Sequence, residues 1–222
     1  KPLAFLTDQG EENPALGRRG LRALAAHEEI LRDQLTALAQ AAAGSDAIVQ
    51  VMAPMVSTAQ EAQYFRDLAH ELGIAIAGVM VEVPSCAILA DHVAQHADFM
   101  SIGTNDLAQY SPAADRLLGT VATFQNPWHP SVLRLIEIVG SAGAAHGVPV
   151  GICGEAAADP ILAVVLVGLG ATSLSMSSSA IADVRAELSM HSLDDARRLA
   201  ALAVSAESAE AARAAVLGAI HP

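Results

Sequence analysis

The sequence predicts an α/β fold in which a parallel sheet is covered by helices. Short apolar runs alternate with amphipathic stretches along the 222-residue chain. The runs are apolar throughout, as expected for strands buried on both faces of a parallel sheet. With 53% hydrophobic and 16% charged residues, the chain can bury a sizeable core within one domain.

Five apolar runs are predicted strands, and small or polar residues follow most of them. The predicted ranges are 47–55, 77–83, 98–104, 148–154 and 172–177. In a sheet or barrel built from such units, the residues just past the strands form the rim that carries chemistry. Side chains at these strand ends are therefore the first candidates for a site.

The stretches between the strands have helical patterns. "STAQEAQYFRDLAHELG" begins with Ser57 or Thr58 as a predicted N-cap and ends at Gly73, a predicted C-cap. Pro160 stands in a first-turn position of "PILAVVLVGLG", and two helices broken near Ser205 are predicted at the end of the chain. The first third, "GRRGLRALAAHEEILRDQLTALAQAAAG", is also mostly helical by pattern. In "HPSVLRLIEIVGSAGAAHG", helical spacing places four apolar residues on one face: Val132, Leu135, Ile136 and Val139.

Charge and composition exclude several classes of function. The net charge is −12, which argues against binding to nucleic acid, because such proteins usually carry a basic patch. A small anionic substrate stays possible if a few arginines are concentrated in one pocket. The most apolar segment, "ILAVVLVGLGATSLSMSSSAI", is interrupted by Gly168 and Gly170, so no membrane insertion is expected. The start of the chain has no secretory signal pattern.

The chain has two cysteines, Cys86 and Cys153, each in an apolar local context. Two cysteines in a chain of this length do not make a disulfide framework, which favours a reduced, cytoplasmic setting. By itself, Cys153 is more simply interpreted as a small core residue than as a reactive thiol.

Two carboxylates stand at the ends of successive predicted strands. Glu82 lies in the otherwise apolar "VMVEVP", and Asp106 follows "SIGTN" 24 residues later, about one βα unit. Neighbouring parallel strands would place them side by side on one rim. Two hard oxygen ligands suit Mg²⁺ better than Zn²⁺, which prefers histidine or cysteine.

Each of these features has a structural alternative. Glu82 could pair with an arginine or lie at a sheet edge. Asn105 and Asp106 could form an ordinary turn with an Asx cap. The serine run 175–179 could be a phosphate cradle, although a strand end made of small residues explains it as well. His129, in "NPWHPS", is predicted to be a loop or helix-cap residue without a functional role.

Longer motifs favour the functional interpretation. "VMVEVP", "SIGTNDLAQY" followed by "ADR", and "GICGE" occur in the order and spacing of the phosphoenolpyruvate-utilising enzymes. Within that family the chain most resembles the phosphoenolpyruvate–protein phosphotransferases, Enzyme I of the bacterial phosphotransferase system. "EENPALGRRGLR", "EILRDQL" and Tyr110 fit these members best.

The resemblance implies a role for individual residues. Glu82 and Asp106 match the two carboxylates that hold Mg²⁺. Two arginines match family arginines that bind the phosphoryl group: Arg116, and Arg19 rather than Arg18. Asn105 matches an amide that contacts the same group. The implied substrate-binding set is therefore Arg19, Asn105 and Arg116.

The resemblance also implies a proton donor, Cys153 in "GICGE". It matches the general acid that protonates the methylene carbon as enolpyruvate becomes pyruvate. Together with Arg19 and Arg116 it completes the expected catalytic set.

The implied fold is a (β/α)8 TIM barrel whose N-terminal part is missing, so that 1–222 is a partial phosphoenolpyruvate-binding domain with five of eight strands. In the family, three strands, an active-site arginine, the phosphohistidine domain and the carrier-binding domain come before the segment that "KPL" resembles. These parts are therefore expected to be absent from this chain. The implied activity is Mg²⁺-dependent transfer of the phosphoryl group to a protein histidine, giving pyruvate, for sugar uptake. Expected partners are phosphoenolpyruvate, the phosphohistidine domain, a histidine-containing phosphocarrier protein and a second copy in a homodimer.

Two alternatives stay open at this point. A metal-dependent aldolase or lyase acting on a pyruvate enolate would also use Glu82, Asp106 and an arginine, but would not need "NDLAQY…ADR" or the thiol. A non-catalytic module for dimerisation or sensing would bind ligand without turnover. The fragment alone is not expected to complete phosphoryl transfer.

Overall fold

A computed structural model describes residues 11–220 of the chain. Its centre is a five-stranded sheet in which every neighbouring pair is parallel and the spatial order follows the chain order. The strands are β1 (Val51–Ala53), β2 (Ala77–Val81), β3 (Met100–Gly103), β4 (Val150–Cys153) and β5 (Ser173–Ser175). The predicted parallel α/β fold is therefore confirmed.

Helices connect the strands, and further helices lie before β1 and after β5 in the described chain. Before β1 lie α1 (Leu21–Ala25) and α2 (Glu28–Ala43), as the helical pattern of the first third predicts. The others are α3 (Ala59–Glu71), α4 (Pro84–Ile88), α5 (Ala90–Ala94), α6 (Thr104–Tyr110), α7 (Pro130–His146), α8 (Pro160–Gly168), α9 (Ile181–Leu188), α10 (Leu193–Ser205) and α11 (Ala209–Ile220). Three short 3₁₀ turns cover Gly119–Gln125, Glu155–Ala158 and Ser178–Ala180.

The core lies between the sheet and the helices. Ile102 of β3 and Val81 of β2 are fully buried, as are Leu133 of α7 and Leu162 of α8. The burial of β2, β3 and most of α8 explains why their sequences lack polar alternation. Among residues 11–220, no helix combines the length and apolar character needed to cross a bilayer.

Side chains at the helix ends match the capping predictions. Thr58 and Glu61 form a capping box at the start of α3, where each side chain accepts from the other residue's amide. His129 caps α7 by accepting from the Ser131 amide, so its predicted cap role is confirmed. At α8, Pro160 occupies the first turn and Asp159 is the N-cap.

Three local predictions need correction. All five strands are shorter than predicted; the first covers Val51–Ala53 instead of 47–55, and Met55 after it lies in the left-handed region with φ +58°. On α7 the fully buried leucine is Leu133, whereas Leu135 is half-buried. Asn105 does not lie in a turn after β3, because α6 starts immediately at that strand's end. The opening "KPL", and any strand before it, lie outside the described residues.

Gly140 of α7 gives a test of helix packing. A Cβ at this position would lie 1.9 Å from the Leu169 carbonyl oxygen at the end of α8, and backbone cannot easily move away. We expect Gly140→Ala to lower the free energy of unfolding by about 3 kcal/mol, as overpacking does. Gly218→Ala is the matched control, because a Cβ there meets nothing within 4 Å in a helix. It should stabilise by about 0.5–1 kcal/mol, and equal effects in urea denaturation would contradict this packing.

Candidate functional site

Three neighbouring strands deliver polar side chains to the same edge of the sheet. Glu82 directly follows β2, Asp106 lies in the first turn of α6 after β3, and Cys153 is the last residue of β4. The pairing of β3 with β4 places Gly103 opposite Cys153. The carboxyl ends of these strands meet at one rim because all three run in the same direction.

Glu82 is a buried carboxylate held by backbone. Glu82 is 6% exposed, and its Oε1 accepts a hydrogen bond from the Met55 amide at 2.8 Å. Burial raises the pKa of Glu82 above its usual range, and the charge of Asp106 raises it further. The guanidinium groups of Arg19 and Arg116 act in the opposite direction.

Asp106 is the point on which two arginines converge. Arg19 Nη2 lies 3.6 Å from its Oδ1, and Arg116 Nη1 lies 3.5 Å from its Oδ2. Within residues 11–220, Oδ1 is buried yet accepts no hydrogen bond. A buried carboxylate oxygen without a donor is uncommon, and its lone pairs stay available to a cation or to a donor on a bound ligand.

Arg19 is held in place by Tyr110, whose structural role sequence reasoning missed. Arg19 Nη1 donates to the Tyr110 hydroxyl at 3.0 Å, and that hydroxyl donates in turn to the Ala15 carbonyl. The residues lie 91 positions apart in sequence, so spacing gives no signal of the contact. Arg18 precedes Arg19, and its amide bonds to Glu11, so the two adjacent arginines have different surroundings.

The backbone at Arg116 is fixed by a buried amide side chain. Gln109 of α6 is 8% exposed and accepts from the Arg116 amide at 3.1 Å. Gln125 donates to the Ala114 carbonyl at 2.7 Å, which holds the same loop from the other side. The Arg116 side chain itself is 44% exposed. It is therefore able to move toward a ligand.

Asn105 lies between the ends of β3 and β4. Its Oδ1 accepts from the Glu155 amide at 3.4 Å. Thr104 Oγ1 donates to the Cys153 carbonyl at 2.9 Å, which joins the two strand ends more firmly. Gly154 has φ +100°, and a Cβ there would lie 2.6 Å from Thr104 Oγ1, so this close approach requires glycine.

Cys153 is a half-buried thiol at the rim and not a core residue. Its Sγ lies 3.5 Å from the Ile102 carbonyl oxygen, 4.0 Å from Met80 Sδ and 3.9 Å from Ser101 Oγ. Burial raises the pKa of the Cys153 thiol. It is therefore protonated at neutral pH, and such a group can donate a proton.

The donor set fits a hard divalent cation. Glu82 and Asp106 offer carboxylate oxygens, the ligands that Mg²⁺ prefers, and the Asp106 Oδ1 has no donor within the described part of the chain. That same part contains no cluster of three or more histidine, cysteine, aspartate or glutamate side chains able to hold a metal. A two-carboxylate site leaves coordination positions for ligand oxygens and water, as Mg²⁺ sites commonly do.

The family model described as "PEP-utilising enzyme, PEP-binding domain" matches residues 1–193. The chain belongs to the phosphoenolpyruvate-utilising enzymes. The resemblance inferred from "VMVEVP", "SIGTNDLAQY" and "GICGE" is thereby confirmed. Its prediction that the chain comes from an enzyme family is confirmed as well.

The curated relatives of this phosphoenolpyruvate-utilising chain include phosphoenolpyruvate-protein phosphotransferases. It is 52% identical over 97% of its length to a phosphoenolpyruvate-protein phosphotransferase of Streptomyces coelicolor, and 42% identical over 94% to one of Haloferax volcanii. It is also 38% identical over 96% to a multiphosphoryl transfer protein of Rhodobacter capsulatus. The chain spans 39%, 39% and 26% of these three relatives.

Two solved structures show a distant likeness to this phosphoenolpyruvate-utilising domain. The citrate lyase β subunit of M. tuberculosis, complexed with oxaloacetate and magnesium, is 18% identical with a TM-score of 0.46; the match covers 67% of this chain and 65% of that one. An HpcH/HpaI aldolase from Desulfitobacterium hafniense is 19% identical with a TM-score of 0.41, over 61% and 60%.

Proposed function

We propose that this chain supplies the phosphoenolpyruvate site of a phosphoenolpyruvate–protein phosphotransferase. That enzyme transfers the phosphoryl group, with Mg²⁺, to a protein histidine and leaves pyruvate. The observation that carries the proposal is the convergence of Arg19 and Arg116 on Asp106, beside buried Glu82, at the rim that also presents Cys153. Family membership favours this activity over the aldolase or lyase alternative, because relatives up to 52% identical are phosphotransferases.

The two arginines are the proposed anion-binding groups. Phosphoenolpyruvate carries a phosphate and a carboxylate, and a guanidinium can bind either through two parallel hydrogen bonds. Arg19 and Arg116 share the single negative charge of Asp106, at 3.6 and 3.5 Å. These long ion pairs are weak enough to be exchanged for stronger bonds to phosphate oxygens. Asn105, next to Asp106 in sequence, is proposed to contribute an uncharged donor to the same group.

Glu82 and Asp106 are the proposed ligands of Mg²⁺. When bound, Mg²⁺ would stabilise the negative charge that moves onto the enolate oxygen as the phosphoryl group leaves. The burial of Glu82 keeps its carboxylate in a low-dielectric position, where its attraction for a cation is strong. The amide of Met55 fixes one of its oxygens.

Cys153 is the proposed general acid. Its thiol stays protonated because burial raises its pKa, and it lies at the end of β4 next to the strand that leads to Asn105 and Asp106. A protonated thiol at one side of the site can deliver its proton to the methylene carbon of enolpyruvate from one face. The product of that step is pyruvate.

The chain is proposed to be one partial domain, 1–222, of a larger cytoplasmic protein. The parallel sheet ends in β1 on one side and β5 on the other, and three further strands between them would close an eight-stranded barrel. Closure would also cover two strand edges that soluble proteins rarely leave open. The histidine acceptor and the site for a phosphocarrier protein, which links the reaction to sugar uptake, would lie in other domains of the parent protein.

A homodimer is proposed from the surface beside the site. The segment after α6 exposes Leu117 (88%), Leu118 (51%) and Phe124 (56%) close together in sequence. Exposed large apolar side chains grouped in this way are typical of protein contacts. A second copy of the chain is the proposed occupant.

Calorimetric titration of phosphoenolpyruvate tests the proposed function. We expect binding with Mg²⁺ that disappears with excess chelator, and an affinity weaker by about 10- to 100-fold in Arg116→Ala, the loss typical of a charge-assisted hydrogen bond. The same loss is expected in Asp106→Asn. Matched controls are Arg213→Ala and Asp183→Asn, which change exposed side chains on α11 and α9 and should leave binding unchanged.

A second protein separates an incomplete pocket from a wrong assignment. In it, this chain replaces the matching part of its Streptomyces coelicolor relative. Binding only in that protein would mean that the missing strands complete the pocket. Mg²⁺-independent binding, or none in either folded protein, would contradict the proposal. Binding by the joined protein without phosphoryl transfer would instead support a sensing module.

A further inference from the structure

The segment directly after β1 contacts both halves of the proposed site. This segment, residues 54–57, is called the β1 turn. Its Met55 amide donates to Glu82 Oε1 at 2.8 Å. Its Pro54 carbonyl accepts from the Leu21 amide at 3.1 Å, two residues after Arg19. The β1 turn therefore connects the segment that carries Arg19 with the Glu82 carboxylate.

Met55 adopts a backbone conformation that its residue type disfavours. Its φ is +58°, in the left-handed region that glycine and asparagine occupy more readily than other residues. Met55 is 8% exposed and lies beside Val56, which is fully buried. Residues held in such conformations cluster at functional sites, where the surrounding structure enforces them. At Met55 this conformation accompanies an amide that donates to the Glu82 carboxylate.

Gly20 and its neighbours pack closely against Met55. Gly20 has φ +56°, and a Cβ on it would lie 2.6 Å from Met55 Cβ and 2.8 Å from the Pro54 carbonyl oxygen. Such a close approach is possible only without a side chain at Gly20. Leu21, 1% exposed, anchors this contact in the core.

A second set of bonds holds the far end of the β1 turn. Arg22 Nη2 donates to Ser57 Oγ at 2.8 Å, and the Ser57 amide donates to Glu61 Oε2 at 2.6 Å. Ser85 Oγ donates to the Ser57 carbonyl at 3.0 Å. Ser57 is 6% exposed, so these bonds are shielded from water. The β1 turn is thus fixed from α1, α3 and α4 at once.

We infer that residue 55 is a positioning residue whose left-handed backbone, and not its side chain, orients the Glu82 carboxylate for a divalent cation. This inference rests on the proposed metal role of Glu82. Groups that hydrogen-bond to metal ligands fix their orientation, and their loss typically weakens metal binding by about 10- to 100-fold. The Gly20 contact would couple that orientation to the segment bearing Arg19.

Substitutions at residue 55 separate the backbone from the side chain. Met55→Gly and Met55→Asn allow the left-handed conformation but remove apolar volume. Met55→Val keeps more apolar volume, but its β-branched side chain opposes that conformation. A backbone role predicts that glycine and asparagine preserve the site and valine disrupts it. A packing role predicts the opposite order.

Two measurements on the 222-residue chain distinguish the backbone role from the packing role in these variants. Hydrogen exchange followed by NMR should show a protected residue-55 amide in the wild type, Met55→Gly and Met55→Asn, and at least about 10-fold faster exchange in Met55→Val. Mn²⁺ titration followed by electron paramagnetic resonance should give a dissociation constant about 10- to 100-fold higher for Met55→Val alone. Circular dichroism verifies that each variant is folded.

The outcomes distinguish this inference from the proposed function. If Met55→Val keeps its protected amide and its Mn²⁺ affinity, or if glycine and asparagine lose them, the positioning role is wrong. If the folded wild type binds no Mn²⁺, the proposed metal role of Glu82 fails. The exchange order then still decides whether the backbone of residue 55 fixes that carboxylate.

Discussion

Replacement of Cys153 by alanine is expected to slow the Mg²⁺-dependent exchange of pyruvate methyl protons with deuterium by about 10² to 10⁴-fold, the usual cost of removing an acid–base group. The measurement uses the protein in which this chain replaces the matching part of its Streptomyces coelicolor relative, and NMR follows the loss of the methyl signal. Exchange is the reverse of the proposed protonation of enolpyruvate. The exchange rate therefore measures the proton transfer alone, without requiring phosphoryl transfer.

The surroundings of Cys153 give the physical reason and the pH dependence. Burial raises the pKa of the thiol, so the acid form dominates at neutral pH and the thiolate needed for proton removal is scarce. Exchange should therefore rise with pH until it passes the raised thiol pKa. The Cys153→Ala variant should lack this rise, while its calorimetric affinity for phosphoenolpyruvate stays close to that of the wild type.

The second cysteine is the matched control. Cys86 is fully buried in α4, and burial raises its pKa to about 12. Its thiol therefore cannot reach a ligand and does not form the reactive thiolate. Cys86→Ala should leave exchange unchanged, apart from a small loss of stability. An equal loss of exchange in both variants would point to structural damage and would remove Cys153 from the catalytic set.

Glu82→Gln is expected to have opposite effects on binding and stability. Glutamine can still accept from the Met55 amide, which now donates at 2.8 Å, but it carries no charge for a cation. Mg²⁺-dependent binding of phosphoenolpyruvate should therefore fall by more than about 100-fold, the scale of losing a charged ligand. The metal-free chain should gain about 1 kcal/mol in free energy of unfolding at pH 8, a common size for a stabilising substitution.

The sign of the stability effect follows from the raised pKa of Glu82. The native state favours the protonated carboxyl. The wild type therefore has its full stability below the pKa that Glu82 has in the unfolded state. It loses stability as the pH rises through the raised pKa of the native state. The advantage of Glu82→Gln should consequently be small near pH 4 and largest at pH 8. Urea denaturation across this range measures it.

Added Mg²⁺ and an exposed glutamate provide the controls. A cation that binds only the native state raises its stability, so Mg²⁺ should stabilise the wild type and leave Glu82→Gln unchanged. Glu137→Gln, on the exposed face of α7, should show no pH-dependent difference. A variant advantage that grows toward acidic pH would contradict the burial of an ionisable Glu82.

Much of the fold could be predicted from local patterns. The N-caps of helices α3, α7 and α8 are Thr58, His129 and Asp159. Their side chains can satisfy amides at a helix start, and such signals are local in sequence. Strands β2, β3 and β4 were recognisable because buried parallel strands are apolar on both faces, whereas β5 is Ser-Leu-Ser with both serines exposed. The strand lengths were overestimated, since the predicted runs extend beyond the residues that pair in the sheet; β1, with Val51–Ala53 against the predicted 47–55, is the example.

The candidate site was predictable in its residues but not in its contacts. Motifs drew attention to Glu82, Asp106 and Cys153, because carboxylates and a thiol at strand ends have a chemical meaning at any such position. The hydrogen bond of Tyr110 to Arg19 spans 91 residues, and that of Met55 to Glu82 spans 27. No local pattern encodes such pairs, since the sheet and its connections decide which distant residues meet.

The sequence by itself determined the fold class, the family and the chemical types of the site residues. Each of these depends on residue identity and on spacing along the chain. Only the tertiary structure decided that Arg19 and Arg116 both face Asp106, and that a left-handed Met55 donates to Glu82. The physical reason is that direction, burial and backbone conformation arise when separate segments pack against each other, and hydrogen-bond geometry depends on all three.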